Sequence, residues 1–151
     1  MTDERLSPNF WLSEFLVSQE GMRRGIPNNP TPTDLLNLRS ATAPGMQRVR
    51  DLLGKAVLIS SGYRSVAINR AVGGVATSQH CTGQAVDFTS PDFGTPQRVA
   101  KFLADRQVLV QFDQLIYEGR WVHISFAPKP RGQVLTANFS HTGVSYTQGI
   151  A

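Results

Sequence analysis

Apolar residues recur at helical spacing in the first third of the chain and at strand spacing later. Residues 10–20, Phe-Trp-Leu-Ser-Glu-Phe-Leu-Val-Ser-Gln-Glu, predict a short helix capped by Ser13, with Trp11 and Phe15 in the core. Gly21, Gly25 and Pro27 break the next segment. Thr31-Pro32-Thr33-Asp34 is a helix start, with a capping hydroxyl, a proline at the first helical position and an acid at the positive end of the dipole. Leu35, Leu38, Met46, Val49 and Leu53 then mark one buried face through a break at Pro44-Gly45, until Gly54 ends it.

Beyond residue 55 the period shortens. Ala56 to Ser60 predicts a strand, Ser65 to Val72 a short helix closed by Gly73-Gly74, and Ala85 to Thr89 a second strand. Thr95-Pro96 repeats the cap-plus-proline start, and Val99, Phe102, Leu103 and Arg106 place one helix face inward. Phe112 to Glu118 and Trp121 to Phe126, separated by Gly119-Arg120, predict a hairpin, and Gly132 to Phe139 a last strand. The late strands are too close together for βαβ crossovers. The expected class is α+β, a small antiparallel sheet flanked by helices. One domain over 1–139 and a loose polar tail over 140–151 complete this reading.

Composition narrows the function classes. The chain has 151 residues, 40% of them hydrophobic and 17% charged, which suits one globular domain and excludes disorder. No run of about 20 apolar residues offers a membrane span. The N-terminal segment lacks an apolar secretory signal, and the single Cys81 cannot form an internal disulfide, so synthesis in the cytoplasm is expected. A net charge of +4 points to an anionic target such as nucleic acid, a membrane surface or a cell-wall polymer. Lys and Arg are scattered, with Arg23-Arg24 the longest run, so nucleic acid is not the expected partner. The balance favours a monomer.

Three histidines, His80, His123 and His141, are the first candidates for chemistry. Strand alternation turns Val122, Ile124 and Phe126 to one face and Trp121, His123 and Ser125 to the other; likewise Val86 and Phe88 oppose Ala85 and Asp87. His123 and Asp87 then both look away from the core. Gly83 permits a reversal that brings the His80 imidazole back beside Asp87. Two imidazoles and a carboxylate can hold a hydrolytic zinc ion with a fourth position open to water, or can simply form a structural hydrogen-bonded pair.

The surrounding residues decide between these. Ser78 to Asp87 reads S-x-H-x-x-G-x-A-x-D, Trp121-Val122-His123 reads W-x-H, and Ser61-Gly62-Tyr63-Arg64-Ser65 and Asn69 through Gly73-Gly74 precede them. In this order the motifs resemble the zinc D-alanyl-D-alanine carboxypeptidase family, which includes phage L-alanyl-D-glutamate endopeptidases, over about residues 10–127. The resemblance implies His80, Asp87 and His123 as Zn2+ ligands in a cleft on the sheet. It implies Arg64 as a cation for the substrate carbonyl or oxyanion, where an ion pair under the loop is the structural alternative. Ser78 would position substrate or the first ligand, or else cap its loop. Trp121 would wall the cleft and contact substrate.

The general base departs from the family pattern, which has an acid three residues before the last histidine; here that residue is Arg120. Glu118 is the nearest acid. A two-residue Gly119-Arg120 turn sets Glu118 opposite Trp121 and Ile116 opposite His123, so Glu118, Trp121 and His123 share a face. Asp113 falls on the other face and is the second choice. His141 is expected to be solvated, and Cys81 to be a small packed thiol.

The first expectation is therefore a zinc peptidase hydrolysing an amide bond in the stem or cross-bridge peptide of peptidoglycan. It would be a phage or prophage endolysin that reaches the wall after release, or a virion-associated lysin. The alternatives are a zinc-containing binding module of the same hedgehog-like fold and a catalytically inactive virion structural component, both of which would suit the loss of the usual acid.

Overall fold

The computed structural model describes residues 2–151; Met1, the first residue of the segment read for a signal sequence, lies outside the described residues. The chain folds as α+β. A small two-stranded antiparallel sheet pairs β1 (Arg5–Ser7) with β2 (Phe10–Trp11). The main sheet has six strands in the order β3-β4-β6-β5-β7-β8.

The N-terminal segment differs from its expectation. It forms two short helices, α1 (Leu12–Leu16) and α2 (Gln19–Arg24). The first is capped by Glu14, whose Oε2 accepts from the Trp11 N–H at 2.7 Å, while Ser13 instead donates its hydroxyl to Asp3. Ser18 caps the second, and Gly21 sits inside it rather than breaking it. Phe15 is fully buried, but Trp11 is 42% exposed; Phe10 takes the core position instead. Strand alternation in β2 turns Phe10 in and Trp11 out.

The long helical run keeps its predicted start and end. In α3 (Pro32–Asn37) Thr31 and Asp34 cap each other, with Thr31 Oγ1 accepting from the Asp34 N–H and Asp34 Oδ2 from the Thr31 N–H. The predicted break at Pro44 is absorbed by a π turn over residues 38–42, from which α4 (Ala43–Leu53) continues. Pro44 has no N–H to donate and its ring crowds the carbonyl four residues back, so the wider turn relieves the conflict without ending the helix. Leu38, Met46, Val49 and Leu53 are buried as expected.

The other elements are β3 (Leu58–Ser61), α5 (Val66–Ala71), a 3-10 turn over 79–82, β4 (Ala85–Thr89), α6 (Pro96–Ala104), α7 (Gln107–Val110), β5 (Gln114–Tyr117), β6 (Val122–Ser125), β7 (Gln133–Ser140) and β8 (Gly143–Gln148). One sheet face carries Val86, Phe88, Leu115, Val122 and Ile124, all fully buried with Met46 and Val49 of α4 and Val99 and Leu103 of α6. Each such side chain contributes about 1.5–3 kcal/mol relative to exposure. The opposite face holds the polar positions of the same strands and is free for chemistry.

All strand pairs but one are antiparallel. The exception is β7, which runs parallel to β5 with Gln114 beside Gln133 and Tyr117 beside Thr136. Both β6 and β7 flank β5, so the connection over 126–132 only has to pass beneath the start of β5. Asp113 holds it there, accepting from the Arg131 N–H at 2.9 Å and from its guanidinium.

Residues 140–151, expected as a loose polar tail, contain a strand. Residues 143–148 are strand β8, paired with β7 from Leu135↔Gln148 to Ser140↔Gly143. The end is tied back by Gly149 N–H to Val134 O at 2.9 Å and Ala151 N–H to Thr136 Oγ1 at 2.9 Å. Every residue of β8 is exposed. With no buried face its alternation of Val144 and Tyr146 with Ser145 and Thr147 is a weak signal, and pairing with β7 holds the strand instead.

Candidate metal centre

Three elements bring the predicted donors together. His123 on β6 lies directly opposite Asp87 on β4, both on the face away from the core. His80 comes from the 3-10 turn, which is capped by Ser78 Oγ accepting from the His80 N–H at 3.3 Å. Gly83 ends that turn at φ +73° and brings the chain against α3; a Cβ there would meet the Asp34 carbonyl oxygen at 2.7 Å. The reversal expected at Gly83 is therefore present, and His80, Asp87 and His123 each offer one donor atom within 4.8 Å of the others.

The hydrogen bonds define what this trio lacks. His80 Nδ1 lies 2.8 Å from the Gly62 carbonyl, which can only accept, so Nδ1 carries the proton. In the neutral ring the Nε2 lone pair then faces Asp87 Oδ1 at 3.3 Å. Two lone pairs at that distance repel, and a positive centre among the three groups resolves the conflict. His123 Nδ1 approaches the same Oδ1 at 2.9 Å. Burial would push the Asp87 carboxyl up, but the His123 and His80 imidazoles, which in their protonated form donate to it and lend it positive charge, hold it well below the usual carboxylate range. An anionic carboxylate with two imidazoles fits a zinc ion by donor chemistry. Gly62, whose backbone presents the orienting carbonyl, packs so tightly that a Cβ would lie 2.5 Å from Phe15 O.

The trio sits on the floor of a cleft of about 790 Å³. Arg64, Ser78, Glu118 and Trp121 all line it. The β5–β6 hairpin has the predicted register: Ile116 opposes His123, and the Glu118 N–H donates to Trp121 O at 3.0 Å across the Gly119-Arg120 turn. Glu118 thus lies one diagonal step from His123 on the cleft face. Burial pushes its carboxyl up, with the Asp87 charge adding to the effect and His123 opposing it.

Arg64 forms no ion pair among the described residues; its Nη1 donates to Asn69 Oδ1 at 3.0 Å, and the guanidinium stays in the cleft wall. Ser78 both caps the His80 turn and lines the cleft. Asp113 is occupied: Arg131 and Gln79 donate to its two oxygens, and the Arg131 guanidinium first of all holds its carboxyl down to about 2. His141 is exposed at the β7–β8 turn, and Cys81 is half-buried with its thiol pushed up by burial.

Sequence reasoning missed the third wall. Leu135, Val144 and Tyr146 on β7 and β8 also line the cleft, together with Arg131. The alternation Val144-x-Tyr146 after Leu135-x-Ala137-x-Phe139 carried that signal, hidden in a segment of low hydropathy.

The sequence pattern described as Peptidase M15 matches residues 8–125, and the chain belongs to that family. Its members are metallopeptidases, typically zinc dependent, which bears out the resemblance carried by the four motifs. No curated protein matches the chain. None of the described helices is long and apolar enough to cross a membrane.

Proposed function

We propose that this protein is a zinc-dependent peptidoglycan peptidase that hydrolyses an amide bond in the stem or cross-bridge peptide, acting as a phage or prophage endolysin. The observation that carries the reading is the His80–Asp87–His123 trio with Glu118 on the same cleft face. His80, Asp87 and His123 would hold Zn2+, which supplies Lewis acidity toward the scissile carbonyl and makes water a competent nucleophile near neutral pH.

The chain's own groups do the rest. Glu118 takes a proton from the attacking water as the C–O bond forms and returns it to the amine as the C–N bond breaks. Its partial burial, which raises the carboxyl, suits a group that must both accept and release that proton. Arg64, held by Asn69, directs its remaining N–H groups at the oxygen where negative charge develops. Trp121 walls the cleft and excludes water, and Ser78 holds the turn that presents His80. The partner is a stem peptide bound by a monomer in the bacterial cell wall, reached after release from the cytoplasm or from a virion.

Arg120, in place of the family's acid, favours a second reading as a non-hydrolytic zinc-binding or virion structural module. Digestion of purified peptidoglycan by the zinc-loaded protein, with mass spectrometry of the released muropeptides and a chelated control, separates the two. Metal-dependent products support the peptidase, and their masses distinguish D-Ala-D-Ala from L-Ala-D-Glu cleavage. Stoichiometric zinc binding with no product from several wall chemotypes supports the module.

A further inference from the structure

Strands β7 and β8 lie beyond residue 125, where the family match ends, so the family pattern assigns them nothing. The sheet register nevertheless sets one of their residues beside the proposed base. Tyr117 pairs with Thr136 in parallel register, which carries Glu118 alongside Ala137, and Ala137 pairs with Tyr146. Trp121, Glu118, Ala137 and Tyr146 therefore form one row across β6, β5, β7 and β8 on the cleft face.

Ala137 is the small residue of that row. Its methyl leaves space over which the Tyr146 ring can lean toward Glu118, about two strand spacings or roughly 10 Å away backbone to backbone. Ala137 is only 7% exposed although Asn138 beside it and Tyr146 opposite it are exposed, so neighbouring groups cover it. Tyr146 lines the cleft with Glu118, Trp121 and His123, and its hydroxyl has no hydrogen-bond partner among the described residues. Burial and the Glu118 charge both raise its phenol above the usual range, consistent with this proximity.

We propose that Tyr146 is a substrate-binding residue, carried into the cleft by the β7–β8 arm, whose phenol donates a hydrogen bond to a backbone oxygen of the bound peptide. The position follows from the strand order. The metal donors stand on β4, β6 and the turn beside them, Glu118 on β5, and Tyr146 beyond it on β8. A peptide whose scissile carbonyl lies between the donors and Glu118 continues over Ala137 toward Tyr146. Leu135 and Val144, on the same face, supply apolar contact for its alanine methyl groups.

This inference rests on the peptidase reading, and its test keeps the two apart. Wild type, Tyr146→Phe, Tyr146→Ala and Ser145→Ala, which lies on the far face of β8, are compared on the stem peptide that peptidoglycan digestion identifies. Tyr146→Phe should raise KM about five-fold with kcat little changed, as expected for one lost hydrogen bond. Tyr146→Ala should add a further several-fold loss, and Ser145→Ala should match wild type. Melting midpoints and zinc content should be equal in all four. If wild type is active and both Tyr146 variants match it in KM and kcat, the inference is wrong while the peptidase stands. Should wild type be inactive, the peptidase reading fails and calorimetric binding of a synthetic stem peptide containing L-Ala-D-Glu and D-Ala-D-Ala decides. Weaker binding by Tyr146→Ala than by wild type keeps Tyr146 as a binding residue, and equal or absent binding overturns it.

Discussion

Glu118 and Asp113 carry the same carboxyl group on the course of one strand, and their surroundings drive them apart. Asp113 accepts from Arg131 and Gln79 on both oxygens, while Glu118 makes its backbone bond to Trp121 and keeps its carboxyl in the cleft. Glu118→Gln is expected to lower turnover of muropeptides about 10²–10⁴-fold with bound zinc unchanged, read by product chromatography and metal analysis. Asp113 acts on stability instead. Its carboxyl titrates at about 2 in the folded chain, below the ordinary 3.8, so its stabilisation is complete above 3.8 and is lost as pH falls through about 2. Asp113→Asn should lower the melting midpoint at neutral pH, by about 4–10 °C if charge-assisted bonds worth about 1.5–3 kcal/mol are lost. Thermal melts between pH 4 and 2 should show the gap to wild type closing.

At the scale of elements, the turn that carries His80 depends on Gly83, which combines a left-handed backbone with contact against the Asp34 carbonyl and offers its own carbonyl to Thr42 Oγ1 at 2.6 Å. Gly83→Ala is expected to cost at least about 1–2 kcal/mol for the left-handed conformation alone, or roughly 2–8 °C in melting midpoint. It should also weaken zinc binding by displacing the turn, which competition with a chromogenic chelator would measure. The hairpin that positions Glu118 was legible in the sequence because a two-residue turn couples length to register, so Glu118, Trp121 and His123 could be assigned to one face. The π turn at 38–42 was not, because a proline after a helical run reads as a stop when the compensating wider turn leaves no residue signature. Trp11 departs from expectation for another reason: helical phase aligns it with Phe15, whereas a two-residue strand turns Phe10 in and Trp11 out. Arm strand β8 escaped because period-two patterning is informative only when one face is buried, and here neither is.

For the whole molecule, the division between the two sheet faces separates stability from chemistry. The proposed metal donors His80, Asp87 and His123 stand on one face, and the core of Phe88, Leu115, Ile124, Met46 and Leu103 on the other, with none of the three in that core. Chelation is therefore expected to abolish hydrolysis while the far-ultraviolet circular dichroism spectrum persists. The melting midpoint should still fall, since zinc at about 100 times its dissociation constant adds roughly 2.7 kcal/mol to the native state. Thermal melts with and without chelator would check both parts.

The arm gives this cleft two unlike jaws. Strands β4, β6 and β5 turn their apolar side chains into the helix-covered core, whereas every residue of β8 is exposed and the strand is joined to the sheet through β7 alone. Amide deuterium exchange should accordingly be fast in β8 and slow in β6. If the protein acts on peptidoglycan as proposed, a jaw with so few buried contacts would accommodate cross-linked polymer of varying girth while the proposed donors and Glu118 keep their spacing.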